Sequence, residues 1–155
     1  MNYEDIEDEI KARLEDKIPN DYKVITMEDT EAEMQRPVTQ PQVAVCYFQS
    51  TFEPSASTSE VSQFENVQFM LMLTARKRRG EKGIYALYEE VRKAALGWTP
   101  TGCTQGFQFS MLQFQQNEQG WYIYSLTMET KTIVVQETTE DTAPNSTEIT
   151  FNENV

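Results

Sequence analysis

The stretch from Val61 to Arg76 constrains this chain most. Val67, Phe69, Leu71 and Leu73 fall on one side of an extended backbone, and Gln68, Met70, Met72 and Thr74 on the other. That two-residue period is the signature of a strand. A strand so long and apolar is stable only inside a sheet, with hydrogen-bonding neighbours and at least one covered face. The methionine side is not polar either, so it is expected to be covered in turn or to meet a partner.

The covering material is readable on either side. Near the start, Tyr3, Ile6, Ile10, Leu14 and Ile18 recur every three or four residues, which predicts an amphipathic helix with one apolar stripe. Asn2 suits its N-cap, the acids Glu4, Asp5, Glu7 and Asp8 suit its positive end, and Pro19-Asn20-Asp21 stops it. A second helix is predicted after Arg79-Gly80, burying Ile84, Leu87, Tyr88, Val91 and Ala95, with Gly97 as its C-terminal cap and Pro100 preventing continuation. Further strands are predicted at Tyr22–Met27, at Val43–Phe48, at Phe107–Phe114 and at Trp121–Val135, the last pair joined through Gln115–Gly120. Glu28–Gln42, flanked by Pro37 and Pro41, and residues 49–60 read as loops. The fold class is therefore α+β: an antiparallel or mixed sheet of about four to five strands, two main helices packed on it, and a single domain over residues 1–135. Residues 136–155 form an acidic polar tail, expected to be flexible or to add a short edge strand at Ile149-Thr150-Phe151.

Composition removes most chemistries. The 155 residues include no His and only two Cys, Cys46 and Cys103, which are widely spaced and match no zinc or redox pattern. The clustered acids near the start lie on a helix and not in a looped oxygen cage, so no calcium site is expected. No serine or cysteine nucleophile motif is present, and Arg79-Gly80 and Lys82-Gly83 do not complete a phosphate loop. The expectation is no enzyme, no catalytic residues, no cofactor and no metal. No apolar run approaches the ~20 residues that span a bilayer, and the acidic N-terminus lacks the regions of a signal peptide. The chain reads as cytoplasmic with no membrane partner.

Net charge is −12, and its distribution matters more than its total. Residues 1–35 hold twelve of the 25 acids, whereas residues 76–93 hold seven of the 13 bases. An acidic chain is a poor generic nucleic-acid binder, but acidic and basic patches on one chain suit registered contact between proteins. The candidate subunit-interface residues are Arg76, Lys77, Arg78, Arg79 and Lys82 in the basic turn, Glu4, Asp5 and Asp8 on the first helix, and Trp121 and Tyr122, whose rings are of the kind enriched in interface hot spots.

Three stretches carry a family likeness: Ile6-Glu-Asp-Glu-Ile-Lys-Ala-Arg-Leu14; Tyr85-Ala-Leu-Tyr-Glu-Glu-Val-Arg-Lys-Ala-Ala-Leu-Gly97 with Trp98 and Pro100; and Glu118-Gln-Gly-Trp-Tyr-Ile-Tyr-Ser-Leu126. With the order of predicted elements, they resemble the Mu-like phage tail terminator family, a relative of the lambda-type terminators. The resemblance implies a homo-oligomeric ring of about six subunits that caps the tail tube, halts its polymerisation and meets the head connector. It implies tail-tube and head-connector proteins as partners, a location in the virion tail after cytoplasmic assembly, and no catalytic residues. The basic turn, Arg76 to Lys82, is expected to dock near the acidic first helix or loop of the next subunit, and acidic side chains lining a lumen would let DNA pass transiently without sticking. Another neck or head–tail joining component, or an adaptor module outside phages that binds an acidic partner through the basic turn, fits the same residues.

Overall fold

The computed structural model describes residues 2–27, 37–56 and 58–137. Helix α1 (Tyr3–Lys17) leads into β1 (Lys23–Thr26), β2 (Gln42–Phe52) and β3 (Ser62–Ala75); α2 (Ile84–Ala95) and the hairpin of β4 (Gln108–Glu118) and β5 (Trp121–Val135) follow. The strands form one mixed sheet in the order β1-β2-β3-β5-β4, with only the β1–β2 pair parallel. Two helices on a five-stranded sheet is the α+β architecture the sequence predicts.

Both helices pack on one face. Ile6, Ile10, Leu14 and Ile18 of the α1 stripe meet Val43 and Val45 of β2, Val67, Phe69, Leu71 and Leu73 of β3, and Ile84, Leu87 and Val91 of α2 in one core. β3 occupies the middle because its alternation fills this face. It pairs with β5 along its whole length, from Ser62 opposite Val135 to Ala75 opposite Tyr122. Asn2 caps α1 as expected, its Oδ1 accepting the Asp5 N–H at 2.8 Å. Gly97 does take a left-handed φ of +82°, but its N–H donates to the Phe107 carbonyl at 2.9 Å. The chain thus turns from α2 into a short pairing with the approach to β4. A Cβ on Gly106 would lie 2.3 Å from the Gly97 carbonyl oxygen, so this close backbone approach requires glycine.

Two boundaries differ from the sequence reading. β2 does not end at Phe48 but continues to Phe52, paired with β3 as far as Glu65. Phe48 is the extra residue of a bulge, and the carboxylate of Glu7 holds the kink by accepting the Tyr47 N–H at 2.7 Å. The bulge resets the alternation, which hides the polar half of the strand from a periodicity argument. Likewise β4 runs to Glu118, so the connector to β5 is two residues, Gln119 (φ +52°) and Gly120 (φ +84°). Positive φ at both central positions is the turn whose twist matches a hairpin. Gln115–Glu118 read as loop because they are polar, and polar residues are at home on an exposed edge strand. Ile149–Phe151 lie outside the described residues.

Candidate functional site

The basic run is placed by backbone chemistry. β3 ends at Ala75, and the next residues wrap the start of α2. The Lys77 and Arg78 carbonyls accept the Ile84 and Tyr85 N–H groups at 2.9 and 3.0 Å. Those N–H groups open the helix and would otherwise be orphaned. Gly83 sits against this wrap, where a Cβ would come within 2.7 Å of the Arg78 carbonyl oxygen. With the carbonyls turned inward, the side chains of Arg76, Lys77, Arg78, Arg79 and Lys82 are all exposed. α2 has no acid in its first turn, so its positive dipole end adds to this field.

The β3–β5 register brings the aromatic candidates to the same place. The Arg76 guanidinium lies 4.2 Å from the Trp121 ring centroid, and Arg78 lies 5.0 Å from that of Tyr122. Phe114 of β4 joins them, 6.5 Å from the Tyr122 ring and 5.4 Å from Tyr124. A hydrogen bond to the Tyr124 hydroxyl, with smaller charge effects of Tyr122 and Tyr124, pushes the Arg78 pKa further up. Trp121 is 8% exposed, so a partner would reach it through Arg76. Lys82 pairs with Asp21 at 3.6 Å, whereas Lys77 and Arg79 have no ion-pair partner among the described residues. Arg76 to Lys82, Trp121, Tyr122 and the unforeseen Phe114 thus share one end of the sheet, with Arg76 and Trp121 on one face and Arg78, Tyr122 and Phe114 on the helix side.

Glu4, Asp5 and Asp8 stand elsewhere. All three are exposed on the first turns of α1. That end of the helix is fixed low on the sheet, where the Tyr3 ring stacks on Tyr47 at 3.9 Å and its hydroxyl donates to Glu65 at 2.5 Å. Glu65 is near the start of β3 and the basic run follows its finish at Ala75, so the poles are separated by roughly 33 Å at about 3.3 Å per strand residue. Within one chain they do not meet.

Other polar side chains on α1 have structural roles. Glu9 accepts both the N–H and the hydroxyl of Thr101, at 2.8 and 2.7 Å. Arg13 donates to the Ala94 carbonyl at 2.9 Å and lies 5.4 Å from the Trp98 ring centroid, tying α1 to the last turn of α2. Ser50 also donates to Glu65 at 2.5 Å, which leaves the Tyr47 hydroxyl to donate to Ser50 at 2.8 Å. This hydroxyl relay satisfies a carboxylate that is 5% exposed. Burial pushes both thiols, Cys46 and Cys103, above their ordinary pKa, which makes them poor nucleophiles. Among the described residues no group of His, Cys, Asp and Glu could hold a metal ion, and no helix is long and apolar enough to cross a membrane.

These features define a small α+β scaffold with two oppositely charged poles and, among the described residues, helices on one sheet face. The chain belongs to the Gp37 protein family, whose model matches residues 10–153. No curated protein matches it significantly. Among solved structures it is similar to a chain from the virion of a native gene transfer agent (GTA) particle, with 11% identity, coverage of 78% of this chain and 84% of that one, and a TM-score of 0.45. A resemblance that distant carries no functional meaning by itself.

Proposed function

We propose that this protein is a structural component of a phage-type virion and acts as a tail terminator. In this reading, copies join head to tail into a ring of about six, which occupies the last growing surface of the tail tube and presents its other side to the head connector. The mechanism is geometric and makes or breaks no bond. The observation that carries the reading is the separation of charge: Arg78 and Arg79 project at one end of the sheet while Glu4, Asp5 and Asp8 project at the other. Complementary patches that cannot meet within a chain can meet between chains, and a contact between two different surfaces makes a ring when the rotation from copy to copy closes. Membership in Gp37, a phage-type family, supports the same class.

The test is light scattering after size exclusion, with the protein alone and with purified tail-tube protein. A ring, or a monomer that becomes a ring and stops tube growth, is the expected result. The Arg78→Glu, Arg79→Glu double variant should lose assembly, and salt should weaken the wild-type ring because exposed charges are screened. A double variant that assembles like the wild type in low and high salt rules out the basic turn as the contact. A monomer indifferent to tubes points instead to an adaptor.

A further inference from the structure

Among the described residues β4 is an edge strand, and it has few of the guards that a free edge carries. Its sequence, Gln-Phe-Ser-Met-Leu-Gln-Phe-Gln-Gln-Asn-Glu, contains no Lys, Arg or Pro, the residues that normally blunt such an edge. Two bulges, at Ser110 and Gln115, confine regular geometry to Met111–Phe114. In that window Leu112 and Phe114, opposite Leu126 and Tyr124, share the helix-side face and are 42% and 49% exposed. Gln113 stands between them on the opposite face. An edge without guards, bearing two apolar side chains two residues apart, suits a strand with the same spacing.

We propose that the chain's own segment Glu148–Glu153 covers this edge, running parallel to β4 with Ile149 beside Leu112 and Phe151 beside Phe114. The segment carries the matching pattern. Thr147, Ile149, Thr150 and Phe151 are of the types enriched in strands, and Pro144-Asn145 ahead of them is a turn signal. Ile149 and Phe151 fall on one face of an extended backbone, with Glu148, Thr150 and Asn152 on the other. The family match runs to residue 153, so the segment lies within the stretch that the family model covers.

Reach and charge fix the occupant and its direction. β5 ends at Val135, and Leu126, the partner of Leu112, lies about 30 Å back along it at ~3.3 Å per residue. Two strand spacings add about 10 Å sideways, whereas the residues between Val135 and Ile149 can span about 46 Å. A parallel course carries Glu153 toward the hairpin end of β4, where Arg78 stands over Tyr122 on the helix side; an antiparallel course would carry it away. Copies of net charge −12 repel one another, but a tethered segment is held near the edge at high effective concentration. The contact needs one chain only, so it stands or falls separately from the head-to-tail ring.

The experiment uses the full chain and reads the register directly. Thr150 would stand beside Gln113, which is exposed, so the Gln113→Cys, Thr150→Cys double variant treated with diamide should link positions 113 and 150 within one chain. Peptide mapping and a non-reducing gel separate that link from one between chains. Asn145→Cys in place of Thr150→Cys would lie about 16 Å from position 113 and should not link. A link between chains gives the edge to a second copy and overturns the proposal; so does no link, or one formed equally well from position 145. Deuterium exchange gives the second readout. Phe151→Asp should speed exchange at Met111–Phe114 about tenfold or more, while exchange in β3 stays as in the wild type. Exchange in β4 that is as fast in the wild type as in the variant also overturns the proposal.

Discussion

β3 and β4 both carry large apolar side chains on alternating positions, and these have opposite fates. In β3, Val67, Phe69, Leu71 and Leu73 are fully buried beneath α1 and α2; in β4, Met111, Leu112 and Phe114 are exposed. β3 is flanked by β2 and β5 under the helix layer, whereas β4 lies at the margin with one neighbour among the described residues. Position in the sheet, and not the side-chain inventory, decides whether an apolar strand is core or surface.

The largest expected effect tests this directly. Leu71→Ala removes a side chain from the centre of the core and should cost about 2–5 kcal/mol in denaturant unfolding. Leu112→Ala removes a half-exposed one and should cost about 1 kcal/mol in dilute protein. Equal losses for the two variants would break the comparison.

Nearly all of β3 was legible, as was β4 as far as Phe114, whereas Gln115–Glu118 and the second half of β2 were not. The alternation of Val67 to Leu73 and the helical stripe of Ile6 to Ile18 are local periods, and a local period states which face is dry. The extension of β2 beyond Phe48 depends on a bulge pinned by Glu7, forty residues away in the chain. Glu9 reads as part of a wet helix face, yet it holds Thr101 from across the fold. The candidate end was legible in its parts: Arg76, Arg78, Trp121 and Tyr122 were each singled out by residue type. Their convergence, and the inclusion of Phe114, follow from the β3–β5 and β4–β5 registers, which no single stretch encodes.

A smaller effect sharpens the contrast at the other end of β3, where its buried face carries Glu65. The Tyr3 hydroxyl is pushed up from 10.0 to about 12, chiefly by donating to that carboxylate. A raised folded-state pKa means that the hydrogen bond stabilises the fold fully below pH 10 and is lost as pH rises through about 12. Tyr3→Phe should therefore cost about 1–2 kcal/mol at neutral pH and remove the latest of the tyrosine steps in an absorbance titration. If the late step persists in the variant, Tyr3 is not the tyrosine held by Glu65.

The smallest expected effect concerns the basic end, and its smallness is the point. Lys82 and Asp21 are each about half exposed and their charged atoms lie 3.6 Å apart, a geometry in which an ion pair contributes about 0–1 kcal/mol. Lys82→Ala should leave the unfolding midpoint nearly unchanged, as should Arg79→Ala, whose guanidinium pairs with no described acid. The wrap that caps α2 is made by the Lys77 and Arg78 carbonyls, which these substitutions keep. A loss well above 1 kcal/mol for either one would make the basic turn a structural clamp, like the covered face of β3. A silent result in unfolding, joined to weakened assembly, would make the basic turn contact surface and not part of what holds the fold.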